Sequence, residues 1–564
     1  NKHMKKSNII LLVIFLIATT TFSQTTKVVY HRYVNGEIDE NRPCFELKYD
    51  GDFISVEEQQ LNQNLISTVP EEMDFIDIKN KKYYSTALLN AKKRFTVISP
   101  LPVDTLFSYS DKTDTILGYI CKHAKRVVFS NNIDFWFTDK VAPQGSPYLS
   151  LGNPGGLVLK IVINGSSVIE ADKIVKEKES VVIPKSWGDT VSRTEYRSLI
   201  KENYIHRVSV FNDAQLSFGN EIHNPKNIDC DSIFHFSKGT VAIRKVTLPD
   251  LKDNTVFAEL TEKSNGDAYD RTGSVFIIPV NGKTNLINAL RDGLDKLPII
   301  TDNNGDEYQG IVKTDNYDPP TELIRFFTPF GVGHFNEKRV VKNVVWEDEV
   351  VYKQDVTDII SALDGDVWIG VYIANYDKGG HKVSMELQYH PDNKEKQKET
   401  KKMWSATLFN TLNIMEMSGQ EYSRLFGNDT LEVTFEVPEN IKDLQLRYIS
   451  TGHGGWGGGD EFNKKLNTII IDNKVVYSFI PWRTDCATFR KYNPASGNFW
   501  NGISSSDLSR SGWCPGSVSN PEYIILNDLK PGKHTLKVVI PMGKPEGNSF
   551  SAWNVSGVIL GEME

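Results

Sequence analysis

The chain alternates short apolar runs with clusters of Gly, Asn, Asp and Pro, and long amphipathic helical patterns are scarce. Thr96–Pro100, Leu157–Asn164, Gly239–Leu248, Gly273–Pro279, Asp366–Ala374 and His534–Pro541 each read as a strand. Strands recurring between such turns predict β-sandwiches. Leu286–Leu294 and Asp355–Leu363 fit short helices.

At 564 residues the chain exceeds what one core serves, so about two to four domains are expected. Asp392–Lys402 (DNKEKQKETKK) is charged and free of apolar residues, which reads as a linker or an exposed loop. It separates a block at 205–395 from one at 403–564. Residues 24–200 form an N-terminal block rich in charged and β-branched residues, of mainly β or mixed α+β structure and without a readable motif. Internal repeats are not evident.

The first residues change the picture more than composition does. Met4-Lys5-Lys6 is a short positive region, Ile9–Ala18 is an apolar run, and Thr19–Ser23 offers small polar residues before Gln24. Residues 1–23 therefore read as a signal peptide, with Asn1-Lys2-His3 as a tag remnant. The run is short for a bilayer span, so a protein exported to the periplasm or the exterior is expected, with no membrane association after signal removal. The net charge of −8 is spread without long runs of one sign, and no basic face is visible, which argues against nucleic acid as a partner.

An exported chain with five cysteines invites disulfides. Cys486 and Cys514 lie near each other in a loop-rich stretch and are the expected pair; the pairing of Cys44, Cys121 and Cys230 is open. Closing the 486–514 loop stabilises by roughly 3–4 kcal/mol in the chain-entropy picture. The eleven His include no His-x-His and no HExxH, and Cys-x-x-Cys is absent, so neither a metal nor a cofactor is expected. Gly-x-Ser-x-Gly is absent too, which weakens a serine-hydrolase reading.

Three segments carry candidate chemistry. Gly452–Glu461 (GHGGWGGGDE) has six glycines in ten residues and places His453, Trp456, Asp460 and Glu461 on one loop ahead of a strand at Leu466–Asp472. It reads either as a surface turn or as a mobile loop over a ligand with Glu461 at the mouth of a strand. Gly266–Phe276 (GDAYDRTGSVF) sets Asp270-Arg271 before a strand; alone, such a dipeptide is more often a solvated pair. Ser509–Gly516 (SRSGWCPG) reads first as a pinned turn, yet Arg510 and Trp513 suit a sugar, through fixed donors and an indole face. Asp302–Asp306 (DNNGD) looks faintly like a calcium loop but reads as a plain turn, since Lys313 stands where a bidentate Glu is needed.

Taken in order, these segments resemble the peptide-N-glycosidase F family over residues 205–564. Val208–Gly219 (VSVFNDAQLSFG) is similar to the family's opening strand and turn, Tyr269-Asp270-Arg271 to its aromatic-Asp-Arg motif, and Phe326–Gly333 (FFTPFGVG) to its Phe-x-Thr-Pro-aromatic stretch. Asp355–Leu363 resembles an Asp-Val-Thr-Asp segment, Gly452–Phe462 the Gly-rich loop that ends in an acidic residue, and Cys486 with Arg510–Gly516 a disulfide beside the sugar cleft. The resemblance implies two antiparallel jelly rolls side by side, with catalytic Asp270 from the first and Glu461 from the second. It implies substrate contacts from Arg271, Arg510, Trp513, His453, Trp456, Asp460 and Tyr376. The chain also departs from the family. A third acidic residue falls on Ala374, a loop Trp falls on His453, and Gly459 and Asn463 replace one cysteine pair. The N-terminal block lies outside the resemblance, as in longer members with an added domain.

The implied activity is hydrolysis of the amide joining Asn to the first N-acetylglucosamine of N-linked glycoproteins or glycopeptides, by a monomer without cofactors. The rivals are a non-catalytic N-glycan-binding module and a glycosidase using the same two carboxylates. A copper monooxygenase on similar paired jelly rolls lacks its His and Met ligand spacing here.

Overall fold

A computed structural model describes residues 24–34, 36–39, 44–59, 70–89, 92–101, 106–219, 232–251, 254–331, 342–343, 345–391, 402–421, 424–454, 458–543 and 551–564. The signal segment at 1–23, Cys230, Trp456 and most of the charged stretch at 392–402 lie outside the described residues. Among the described residues the fold is mostly β, and no helix is long and apolar enough to cross a membrane. The chain divides into two compact units, one up to Tyr204 and one from Ile205 to Glu564.

Among its described residues the first unit forms one 13-stranded sheet, antiparallel except where Asp189–Thr190 pairs in parallel with Lys93–Pro100 at one edge. Its strands follow the alternating pattern of a half-buried sheet: Val28, Tyr30, Phe45, Leu47, Phe135 and Ile161 turn to one core. Cys44 and Cys121 are buried free thiols. The 12-residue helix Arg193–Tyr204 closes the unit. Ser192 starts it, accepting the Glu195 amide on its hydroxyl at 3.1 Å, and Ser192-x-x-Glu195 is a capping-box signature in the sequence.

The second unit holds the two jelly rolls. The first roll packs a four-stranded sheet (His206–Leu216, His381–Pro391, Asn254–Ser264, Val350–Asp355 in spatial order) on a larger one. That larger sheet runs Phe234–Phe236, Val241–Thr247, Asp366–Ile373, Thr272–Pro279, Thr321–Phe327 and then Val518–Ser519. The last strand belongs to the second roll's sequence. Inward side chains such as Val210, Leu260, Val275, Ile277, Ile369 and Met385 fill the space between the sheets. The second roll pairs Met403–Asn410, Ala552–Met563, Ile441–His453 and Glu522–Ile525 against Leu431–Val437, Gly532–Val539, Asn467–Ile471 and Lys474–Phe479. The sequence's helix at Leu286–Leu294 forms as Leu286–Asp292, capped by Asn285; the one at Asp355–Leu363 forms only as Thr357–Ser361. Asp302 is a turn residue whose carboxylate accepts from the Asn304 and Asp306 amides, Tyr308 and Asn428.

The rolls share buried charge. Glu322 and Arg325 form a fully buried pair at 2.7 Å in the first roll. Ser556 of the second roll donates to Glu322 at 2.6 Å, and Arg325 reaches Thr451 and the Asn554 carbonyl. Arg447 returns the contact, donating to the carbonyls of Glu322 and Leu323 at 2.8 and 2.9 Å. Glu322 and Arg325 thus each meet partners from both rolls, and Arg447 crosses from the second roll to the first, which fixes their register.

Candidate active site

Asp270 sits on a turn that leads into the strand Thr272–Pro279, and the turn is built by its own residues. Asp267 is buried and accepts the Tyr269 amide at 3.1 Å, while its own carbonyl accepts the Ser264 hydroxyl. The Arg271 amide donates to Thr328 Oγ1 at 2.7 Å, and that hydroxyl donates to the Tyr269 carbonyl. Gly380, in the adjoining loop, has φ +60°, and a Cβ there would lie 2.0 Å from the Leu216 carbonyl. These bonds leave the Asp270 side chain 19% exposed.

Glu461 comes from the second roll at the end of the glycine-rich loop. Its carbonyl accepts the Ser511 amide at 2.9 Å, so loop and Arg510 segment are stitched together. The Cys486–Cys514 disulfide, with a sequence separation of 28, ties that segment to the helical turn Cys486–Tyr492. Gly512 has φ +83°, and a Cβ there would meet the Ser450 carbonyl at 2.3 Å, so the backbone passes close against the strand Ile441–His453.

Arg510 joins the two carboxylates. It is 1% exposed, donates from Nε to Glu461 at 2.8 Å, and holds Nη2 3.8 Å from Asp270. Its other donors go to the Ser505 carbonyl and hydroxyl at 2.6 and 3.0 Å. Phe462 and Trp513 flank the guanidinium at 5.0 and 4.9 Å. Burial pushes the Asp270 carboxyl up to about 7; Arg510 opposes the rise and Glu461 adds to it. Glu461 is also raised by burial but is restrained by its direct bond to Arg510.

Arg271 faces the cleft from the first roll. Asp267 clamps it with contacts of 2.7 and 3.3 Å, and its guanidinium lies over Tyr269 and Tyr376 at 4.9 and 5.4 Å. Tyr269 and Tyr376 are 63% and 51% exposed. Glu416, from the second roll, accepts from the hydroxyls of Tyr376 and Tyr372. Nothing local in the sequence marks Glu416. Asp267 was findable, since its spacing of four from Arg271 suits a clamp. Neither residue is among those named from the sequence.

Three named residues have other places. Asp460 is fully buried and accepts from the Trp553 indole at 2.7 Å and the Gly543 amide, so it anchors the glycine-rich loop to the second roll instead of facing a ligand. Trp513 is 3% exposed, stacks on Phe327 at 4.2 Å and donates to the Gly452 carbonyl; it is the floor beneath Arg510. His453 stacks on the same pair, and its Nε2 lies 2.8 Å from Thr451 Oγ1. Burial, then Arg325, lowers its pKa to about 3, so the ring is neutral. The arrangement brings Asp270, Glu461, Arg510 and, beside them, Arg271 with its two tyrosines to one side of the paired rolls.

Comparison with known proteins places the chain in a family. The chain matches the family models for the N-terminal domain of peptide-N-glycosidase F over residues 207–389 and for its C-terminal domain over 421–560. It also matches the N-glycanase peptide N-terminal domain over 28–197. Two crystal forms of PNGF-II are each 41% identical, cover 96% of this chain and 100% and 98% of their own, and superpose with TM-scores of 0.85 and 0.78. A structure of recombinant N-glycanase F (PNGase F) is 17% identical over 64% of this chain and 96% of its own, with a TM-score of 0.40. No curated protein sequence matches. With 41% identity to PNGF-II over almost its whole length, the chain belongs to the peptide-N-glycosidase F family.

Proposed function

We propose that the protein is an amidase that cleaves the bond between Asn and the first N-acetylglucosamine of N-linked glycoproteins, releasing the whole glycan and leaving Asp. One observation carries this reading: Asp270 and Glu461, one from each roll, converge on a single buried arginine. Amide hydrolysis needs an activated water, a stabilised oxyanion and a proton for the departing nitrogen. A carboxyl poised near neutrality can take the proton of the attacking water and return it to the leaving nitrogen, so Asp270 is the acid/base group. Glu461, hydrogen-bonded to Arg510, orients the water or the sugar. A C–O bond forms as the C–N bond breaks, and the released glycosylamine then loses ammonia to water. Arg271, between Tyr269 and Tyr376, offers a fixed fork and two aromatic faces to the glycan.

The test is a glycopeptide digested with the protein and both products weighed. An amidase converts Asn to Asp and frees an intact glycan. A glycosidase leaves N-acetylglucosamine on Asn, and a binding module leaves the glycopeptide unchanged; either result overturns the proposal. Asp270→Asn is expected to lower turnover by about 10²–10⁴-fold, the usual share of a positioned acid–base group.

A further inference from the structure

Behind Arg271 runs a chain of buried charge that the proposed chemistry does not use. His381 opens the strand His381–Pro391 and is 1% exposed. Its Nδ1 lies 2.7 Å from Glu262 on one neighbouring strand, and its Nε2 lies 3.5 Å from Asp267 in the turn that carries Asp270. Tyr352, on the far side, lies 3.5 Å from Glu262 and donates to the Phe327 carbonyl at 2.9 Å. Asp267 clamps Arg271. The neighbouring lysines do not help: Lys263 and Lys382 pair with Asp213. Asp377 spends one oxygen on the amides of Gly379 and Gly380, just before His381. Asp267 thus has Arg271 beside it, and the imidazole is the cationic group placed between it and the second buried carboxylate, Glu262.

We infer that His381 is a positioning residue, held as a buried imidazolium between Glu262 and Asp267, and that it fixes Asp267 and, through it, the Arg271 guanidinium. The role of Arg271 in catalysis rests on the amidase reading; the imidazolium does not. Burial opposes the charged ring, but the contact with Asp267, the hydrogen bond to Glu262 and the charge of both carboxylates outweigh it and raise its pKa to about 9. Asp267 is correspondingly held at about 2, against its own burial, by His381 and Arg271. A raised histidine pKa stabilises the fold fully below about 6.5, and that contribution is lost as pH rises through about 9. Above that point Asp267 loses the imidazolium's charge, and the anchor that holds the Arg271 guanidinium at the cleft is loosened.

Two measurements on the full chain test this. Ring-nitrogen NMR from about pH 6 to about pH 10 is expected to show one histidine still doubly protonated above about pH 8, and its signal should vanish in His381→Gln. Glycopeptide kinetics over the same range should show KM rising about tenfold through the alkaline transition, the scale of one lost charge-assisted contact, while kcat changes little. His381→Gln should carry the raised KM already at neutral pH and lose the transition, with circular dichroism confirming the fold at each pH. A purely structural role would leave KM and its pH dependence as in the parent. A ring that titrates at the ordinary value, or a parent KM flat across the transition, overturns the inference. If the parent cleaves no glycopeptide, the amidase reading fails and the NMR arm alone decides the imidazolium. If His381→Gln does not fold, the parent's NMR and KM profile decide it.

Discussion

Asp270 is the residue on which the electrostatics concentrate. Its carboxyl pKa is raised, so the ionised form is disfavoured in the native state. The native state is unpenalised below about pH 4 and loses stability as pH rises through about 7. Asp270→Asn is therefore expected to melt higher than the parent above neutrality, by on the order of 1–3 kcal/mol, with the gap closing as pH falls toward 4 in calorimetry. Glu461→Gln removes a like charge beside Asp270 and leaves Arg510 to it alone. The Asp270 titration should move to lower pH in carboxyl NMR, and turnover should fall by at least tenfold; a titration that stays in place would contradict the coupling. At this scale the sequence was only partly legible. Asp270 alone resembled any solvated Asp-Arg pair, and family resemblance gave it its partner. Asp460, Trp513 and His453 share segments with cleft residues, and only packing shows that two are buried supports and the third a half-buried neutral ring. Glu416 arrives from a distant turn, and no local pattern could announce it.

Individual strands were legible where alternation was strong. Gly273–Pro279, Asp366–Ala374 and His534–Pro541 all fall on strands, displaced by one or two residues at their ends. What single strands conceal is their cross-strand pairing. Gly273, Gly370 and Gly557 sit opposite Phe326, Phe276 and Phe409, whose rings lie over the bare backbone. A Cβ at Gly557 would stand 2.3 Å from the Phe409 ring, inside the second roll. Gly557→Ala should thus cost about 1–3 kcal/mol by overpacking, read as a lower denaturant midpoint at unchanged slope. In the sequence these glycines look like strand breakers, because the ring that covers each belongs to another strand. The helix Arg193–Tyr204 is hidden for the opposite reason: its apolar face is narrow, with Tyr196 its one buried residue, and only the capping signal at Ser192 marks it in the sequence.

For the whole second unit, the buried network of Glu322, Arg325 and Arg447 predicts shared stability. Glu322→Ala strips Arg325 of its counter-charge where both side chains are fully buried, so a loss of about 3–5 kcal/mol is expected. Because donors from both rolls meet there, the loss should lower one common unfolding transition of residues 205–564; two separated transitions would show that the rolls melt independently. Composition and motif order hinted at paired rolls but not at this seam, whose residues lie more than 100 positions apart, as with Arg447 and Glu322. A last consequence lies in the short strand Val518–Ser519, which completes the first roll's sheet from within the second roll's sequence. Grafting either roll from a distant relative would leave Thr321–Phe327 with an unpaired edge or a mismatched lodger. Inheritance should accordingly have kept the two halves together as one recombination block.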